Sequence, residues 1–193
     1  MMDDLAYFLY SFLSKIPDKI FFGIWFKKLV CIRPKILNMM KNVNIEKNVK
    51  IYQNVKTNKK SCIRIKADST IKENCIIIGN INIGKNCNIL SNTKIDGSGE
   101  VVIGDDTHIG RENDIFSHYH DISDKNTLVN KSKEIYQKTT IGNNVMIFSR
   151  VGVMSGVTIE DNAVIAYGSV VTKNCEKNCV YAGCPAKKIG ERK

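Results

Sequence analysis

The stretch IGNNVMIFSRVGVMSGVTIEDNAVIAYGSVVTKN, residues 141–174, carries an aliphatic residue at every sixth position. A period of six fits neither an amphipathic helix nor the simple two-residue alternation of a strand. It fits a short strand followed by a tight corner, repeated along the chain, with one aliphatic side chain per unit pointing inward. The recurring residues are Ile141, Ile147, Val153, Ile159, Ile165 and Val171.

The same interval begins near residue 43 and runs through most of the chain. Three such units per turn would form a triangular prism in which each coil covers the apolar face of the next. The second inward position of each unit is small or β-branched, so Cys75 and Cys87 are interpreted as core filler. The sequence therefore predicts a mainly β protein with a parallel β-helix over residues 43–193. The earlier aliphatics are Ile45, Ile51, Ile65, Ile71, Ile77, Ile83, Ile89, Ile95, Ile103, Ile109 and Ile115.

A family resemblance rests on residues 141–174 together with AGCPAKKIG, residues 182–190. These elements resemble the hexapeptide-repeat acyltransferases, and within them the sugar O-acetyltransferases of capsule, colanic-acid and lipopolysaccharide synthesis. The resemblance covers about residues 43–192. It implies a left-handed β-helix, a homotrimer and acetyl-CoA as the acyl donor. We also expect a short C-terminal helix.

The hexad stops between Ile115 and Ile141, and two of the three histidines lie where it stops. The polar segment about residues 121–140 should leave the prism as a loop. In the enzymes that the chain resembles, such an excursion reaches toward the adjacent subunit, and the catalytic histidine lies at its base. The sequence SHYHD, which contains His118 and His120, matches both common forms of that motif.

Imidazole suits the chemistry that the resemblance implies. A sugar hydroxyl needs a base to take its proton as it attacks a thioester, and imidazole titrates near neutral pH. We predict that His120 is this base and that His118 orients it or binds the acceptor. Asp121 either orients the imidazole or is a solvated turn residue.

The resemblance also implies residues for the two substrates. Lys187 and Lys188 would meet the phosphates of CoA, and Asn92 and Asp96 would bind the acceptor. Corner geometry, solubility and Asx-turns are the alternative explanations for these residues. The groove for the pantetheine arm of CoA would be lined by Ser149, Tyr167, Gly168, Thr172 and Lys173.

Residues 1–42 have a helical pattern instead. Apolar residues at helical spacing predict a helix before Pro17, and Asp18 is a candidate cap for a second one. The second apolar stripe should end before Pro34. Such aromatic-rich helices either contact a membrane surface peripherally or form a hairpin that packs on its own domain or on a neighbouring subunit. The stripes are Leu5, Phe8, Leu9, Phe12, Leu13 and Ile16, then Ile20, Phe21, Ile24, Trp25 and Leu29.

The amino-acid composition limits the classes of binding partner that we expect. The formal charge of +10 favours anionic partners, but the lysines are scattered and no basic stripe with interleaved aromatics occurs, so nucleic acid is not expected. Seven cysteines without a C-x-x-C motif indicate reduced thiols in the cytoplasm. The spacing of Cys175, Cys179 and Cys184 matches no usual zinc site. The N-terminus does not resemble a signal peptide.

His108 is interpreted as a surface residue, and no metal is expected. A carbonic anhydrase built on the hexapeptide fold would use three histidines, but the spacing here does not resemble that family. The sequence thus predicts a cytoplasmic acetyl-CoA-dependent O-acetyltransferase acting on a saccharide, in surface-polysaccharide synthesis. The alternatives are an N-acetyltransferase of an amino- or nucleotide-sugar and a non-catalytic β-helix that serves as an assembly subunit.

Overall fold

A computed structural model describes residues 2–16 and 26–193, with side chains described for 2–16 and 31–193. From residue 43 onward the chain winds into stacked coils, each with three short parallel strands that form three faces of a prism. The first face contains β1 (Val43–Ile45), β3 (Cys62–Ile65), the second halves of β5 (Ile76–Ile83) and β7 (Lys94–Ile103), β12 (Thr139–Ile141) and β15 (Thr158–Ile159).

The other two faces complete each coil. The second face contains β2 (Lys50–Ile51), β4 (Thr70–Ile71), β6 (Asn88–Ile89), β8 (His108–Ile109), β13 (Met146–Ile147), β16 (Val164–Ile165) and β18 (Cys179–Ala182). The third face contains the first halves of β5 and β7, then β9 (Asp114–Phe116), β14 (Gly152–Val153) and β17 (Val170–Val171). The prediction of a mainly β parallel solenoid is confirmed.

The core is the predicted ladder of aliphatic side chains. Ile95 pairs with Ile77 below it and with Ile115 above it, and all three are at most 2% exposed. Each buried side chain of this size contributes about 1.5–3 kcal/mol of transfer free energy, so the repeated register stabilises the stack. Cys75 and Cys87 are buried in this core as predicted, and burial raises the pKa of the Cys75 thiol to about 11.

The corners depend on Asn and Asp in the left-handed backbone region. Asn86 has a φ of 53° and Asp106, one coil above, a φ of 59°. Short polar side chains tolerate this conformation and bond locally. The Asn86 side-chain amide donates to the Asp106 carboxylate at 2.7 Å, and that of Asn144 donates to the Asn162 side-chain oxygen at the same distance. The corners thus form polar ladders parallel to the aliphatic one.

Two helices pack against the first coils, namely α1 (Met2–Ser14) and α2 (Phe26–Leu37). The face of α1 with Ala6, Tyr10 and Ser14 is buried, and the Tyr10 hydroxyl donates to the Val55 carbonyl at 3.0 Å. No helix among the described residues is long and apolar enough to cross a membrane. The predicted break and cap at Pro17 and Asp18, and the stripe residues Ile20, Phe21, Ile24 and Trp25, lie outside the described residues; the side chain of Leu29 does too.

Two predictions about helices are wrong. The second helix does not end before Pro34 but continues to Leu37, where burial of Leu37 and Met40 against the prism holds the last turn in place. The C-terminal segment is not a helix but β19 (Lys187–Glu191), which pairs antiparallel with β18. Because β18 is the last strand of its face, its free edge offers backbone partners that a separate helix would leave unpaired.

Candidate functional site

The interruption of the hexad forms a short two-stranded ribbon. Its strands are β10 (His118–His120) and β11 (Glu134–Tyr136), joined through a 3-10 turn, η1 (Val129–Lys131). The excursion therefore begins at His118, earlier than the predicted 121–140, and both histidines belong to it. In the ribbon His118 pairs with Tyr136 and His120 with Glu134, so all four side chains share one face.

Ser117 anchors the ribbon to the prism. This residue is fully buried, and its hydroxyl donates to the Asp96 carbonyl and accepts the Gly99 amide proton, each at 2.8 Å. On the return side, the Gln137 amide donates to the Ser117 carbonyl at 2.9 Å. The position of both histidines relative to strand β7 is therefore fixed by bonds to buried backbone.

His118 lies between the ribbon and the prism beside a carboxylate. Its Nδ1 is 3.6 Å from Asp96 Oδ1, which is an ion-pair distance for an imidazolium but too long for a hydrogen bond, and this nitrogen is otherwise buried without a partner. The ring contacts Phe116 edge-on and lies 6.3 Å from the Tyr136 ring. His118 and Asp96, both predicted site residues, are thus brought together.

His120 is exposed at the outer end of the ribbon. Its Nδ1 lies 3.3 Å from the Ser132 hydroxyl oxygen. Asp121, the candidate orienting residue, instead accepts the Ser123 amide proton at 3.0 Å, and hydrogen bonding to Ser123 lowers the pKa of its carboxyl group. The turn explanation for Asp121 is therefore the one that its contacts support.

Three further residues of the site escape sequence reasoning. The Tyr136 hydroxyl donates to the Glu134 carboxylate, and this bond raises the pKa of Tyr136 above its ordinary value. Both side chains lie on the histidine face of the ribbon, and Ser132 lies beside His120. The excursion has no repeat, so no periodic signal marks these residues; the polar stretch itself is the only hint.

The predicted CoA residues lie along two different edges of the prism. Thr172 follows the last inward residue of β17, at the edge between the third and first faces where the ribbon leaves, and Lys173 is next to it. Ser149, Tyr167 and Gly168 lie at the edge between the second and third faces, where the Gly168 amide donates to the Ser149 carbonyl at 3.0 Å. A single chain does not bring this second group to the histidines.

Asn92 also lies on the edge between the second and third faces, exposed and with a φ of 62°. Asp96 is at the next edge, beside His118. The expected acceptor pair is therefore divided between two corners, and within one chain Asn92 belongs with Ser149 and Gly168. Its backbone amide donates to the Glu73 carbonyl of the coil below at 3.1 Å, as its counterparts do at this corner.

The two C-terminal lysines have different surroundings. Lys188 Nζ lies 2.9 Å from Glu176 and 3.5 Å from Glu191, and the bond to Glu176 raises its pKa. Lys187 is exposed at the start of β19. Of the two, Lys187 is the better placed to meet a phosphate, since the charge of Lys188 already faces carboxylates.

His108 points outward from β8 on the second face, in register with Asn88 and Met146. It is half-buried, and this burial lowers the pKa of its imidazole. Nowhere in residues 2–16 and 26–193 do three His, Cys, Asp or Glu side chains form a group that could hold a metal ion.

Comparison with known proteins agrees with the fold. Residues 138–173 match the family model described as bacterial transferase hexapeptide (six repeats). The galactoside O-acetyltransferase of Escherichia coli K12 is 52% identical over 62 residues, which is 32% of this chain and 30% of that protein. The chain thus matches less than a third of the length of this curated relative.

Solved structures match over more of the chain. The N-acyltransferase AntD from Bacillus cereus, in complex with dTDP and coenzyme A, has a TM-score of 0.75 at 21% identity, covering 82% of this chain and 89% of that one. A galactoside acetyltransferase in complex with coenzyme A has a TM-score of 0.60 at 25% identity, covering 99% and 82%. The repeat, the fold and these matches together support a relationship to the hexapeptide-repeat superfamily.

Proposed function

We propose that the protein is an acetyl-CoA-dependent O-acetyltransferase that acts on a saccharide hydroxyl in surface-polysaccharide synthesis. The observation that carries this proposal is the ribbon, which holds His118 and His120 on one face beside Asp96. It leaves the prism at the edge where Thr172 and Lys173 lie. The match of residues 138–173 to the bacterial transferase hexapeptide model and the similarity over 62 residues to a galactoside O-acetyltransferase support the same reaction.

In the proposed reaction, His120 takes the proton of the acceptor hydroxyl as the oxygen attacks the thioester carbonyl. The new carbon–oxygen bond gives a tetrahedral oxyanion, which collapses and breaks the carbon–sulfur bond. The imidazolium returns its proton to the departing CoA thiolate, so charge and atoms balance. A positioned general base contributes about 10²–10⁴-fold to such a step, and the common groove contributes proximity.

We propose a homotrimer because the site needs two edges of the prism. The edge with Ser149, Tyr167 and Gly168 reaches the histidines only if it comes from a neighbouring copy. The excursion also exposes three large aliphatic side chains that such a neighbour would cover, namely Ile122 (72%), Leu128 (62%) and Val129 (71%). Sedimentation should accordingly give three times the chain mass of 21.7 kDa.

N-acetylation of an amino- or nucleotide-sugar is the second candidate function. The carboxylates of Asp96 and Glu134 beside the histidines favour it, because they would attract an acceptor that arrives as an ammonium. AntD, an N-acyltransferase, shares the fold. Both candidates predict acetyl-CoA as donor and differ in the acceptor.

A mass-spectrometric screen tests the proposal. The protein is incubated with acetyl-CoA and with lipid-linked saccharides, free saccharides and amino- or nucleotide-sugars. We expect a mass gain of one acetyl group on a hydroxyl, stable in neutral buffer but released by mild base, as esters are. Acetylation of amines alone would establish the second candidate. Failure to bind CoA would leave only the non-catalytic assembly subunit.

We also propose that the enzyme is cytoplasmic and attaches peripherally to the inner face of a membrane. Residues 1–66 contain fourteen of the 29 Lys and Arg but four of the 19 Asp and Glu, so this third carries a formal charge equal to the chain's whole +10. The lysines are scattered along the whole chain, whereas most of the acidic residues lie after residue 66. A basic end of the prism suits anionic phospholipid headgroups.

The outer face of α1 supports this contact. Met2, Leu5, Phe8 and Phe12 are 56–71% exposed and lie opposite the side that packs on the prism. Side chains of this size present a few hundred Å² in total, less than the roughly 800 Å² per partner of a stable protein interface. The face is therefore better suited to insertion among lipid headgroups than to a second protein.

Vesicle flotation tests the contact. The double variant Phe8→Ser/Phe12→Ser should bind phosphatidylserine-containing vesicles at least about tenfold more weakly than the parent, because its inserted apolar face is lost. Ile189→Ser, an equally exposed residue on β19, is the control and should bind like the parent. Equal vesicle binding by the parent and the double variant would refute the membrane contact. If the double variant instead sediments differently from the parent while vesicle binding is equal, the exposed face of α1 belongs to a protein interface.

A further inference from the structure

We propose that Ser132 is a positioning residue that holds His120 in the tautomer with its proton on Nδ1, leaving Nε2 as the base. This inference rests on the proposed function, and it assigns a role to a residue for which the sequence offers no signal. Its basis is the direction of two hydrogen bonds at the outer end of the ribbon.

The Ser132 hydroxyl has one proton, and its partner is the Val129 carbonyl. The Ser132 Oγ lies 2.7 Å from that carbonyl oxygen, which can only accept, and 3.3 Å from His120 Nδ1. Because the hydroxyl proton is donated to the Val129 carbonyl, the serine oxygen can only accept a hydrogen bond from the imidazole. His120 Nδ1 then donates, and the Nε2 lone pair is left for the acceptor hydroxyl.

The serine is itself held by the backbone. Its amide donates to the same Val129 carbonyl at 3.2 Å, across the turn η1, so its hydroxyl has little freedom to turn toward the imidazole as a donor. The Asp121 amide donates to the Lys133 carbonyl at 2.8 Å and closes the ribbon just beyond His120. Turn and ribbon together fix the distance between Ser132 and the ring.

The surroundings of His118 differ from those of His120 in charge and in exposure. Its Nδ1 faces the Asp96 carboxylate at 3.6 Å and its ring is wedged against Phe116 and Tyr136, whereas the His120 ring is exposed. A partly enclosed ring beside a carboxylate suits binding of the acceptor, and an exposed ring with a fixed tautomer suits proton abstraction. The two histidines are thus assigned different roles by their partners.

Ser132→Ala tests the assignment, with Ser132→Thr as the conservative variant and Ser123→Ala as the matched control in the same excursion. We expect Ser132→Ala to lower kcat about tenfold with KM for both substrates unchanged, because binding is intact but the ring samples the wrong tautomer. Ser132→Thr should restore most of kcat, and Ser123→Ala should have the parent's kcat.

Long-range ¹H–¹⁵N spectra of the three histidines give a readout that does not need activity. In the parent the Nδ1 of His120, assigned through its loss in His120→Gln, should show the shift of a protonated nitrogen at high pH, and in Ser132→Ala that preference should disappear. An unchanged spectrum and kcat in Ser132→Ala would overturn the inference. If His120→Gln is inactive while Ser132→Ala is not, the proposed function survives without this positioning role.

Discussion

Replacing His120 by alanine is expected to lower kcat for acetyl transfer by roughly 10²–10⁴-fold, the contribution of a positioned general base. The loss should appear in kcat with little change in the dissociation constant of CoA, because the imidazole acts on the proton of the acceptor hydroxyl and His120 is not among the residues predicted to bind CoA. Steady-state kinetics with the acceptor found by the screen, together with calorimetric titration of CoA, measures both quantities.

Two variants make this result specific. His118→Ala should mainly raise KM for the acceptor, since its ring lies half-buried beside Asp96, and His108→Ala should leave both constants unchanged because this residue points outward from the second face. If His118→Ala loses more of kcat than His120→Ala, the roles of the two histidines are reversed. If neither variant affects kcat, the excursion does not hold the base.

The fold was predictable because the hexad records a single physical requirement. Each coil needs one aliphatic per face, stacked on its counterpart above and below, and Ile77, Ile95 and Ile115 satisfy it in one column. That requirement is local and repeats, so it can be counted along the chain. The end of a solenoid has no next coil, which is why the pattern carries no information on β19 or on the helix that continues past Pro34.

The phase of the hexad also contains information on the corners. Asn92 follows Ile89 by three residues, just as Gly168 follows Ile165, so both occupy the same edge. Asp96 follows Ile95 directly, as Thr172 follows Val171, and these two share the other edge. Position within the hexad therefore separates Asn92 from Asp96, and the expectation that they form one acceptor site overlooked this difference in phase.

The excursion could not be predicted in the same way. Its ribbon is held by Ser117 and by cross-strand pairs, which depend on contacts between residues about twenty positions apart and leave no period. Sequence reasoning located the histidines from the SHYHD motif but could not find Glu134, Tyr136 or Ser132. The residues that give each imidazole its surroundings therefore became visible only in three dimensions.

A buried cation bonds the N-terminal helical segment to the prism. Arg33 is fully buried, and its guanidinium donates to the carbonyls of Leu13 at 3.2 Å, Ile16 at 2.7 Å and Ile51 at 3.3 Å. The Leu13 carbonyl belongs to the last turn of α1, where a helix leaves acceptors unpaired and where a positive charge is favourable, and the Ile16 carbonyl lies two residues beyond the helix. The third belongs to β2, so one side chain joins both helices to the prism.

Arg33→Met is therefore expected to reduce the free energy of opening the helical segment by about 3–5 kcal/mol, because the three carbonyls lose a charged donor while methionine retains the apolar stem. Solenoid coils contact only their neighbours, so the loss should be confined to the N-terminal end. Hydrogen exchange of α1 amides compared with amides of β13 and β16 measures this. Arg64→Met removes an exposed guanidinium that bonds Asn82 at 3.2 Å, and should change stability by less than about 0.5 kcal/mol. Equal protection of α1 in the two variants would mean that Arg33 does not hold the helices to the prism.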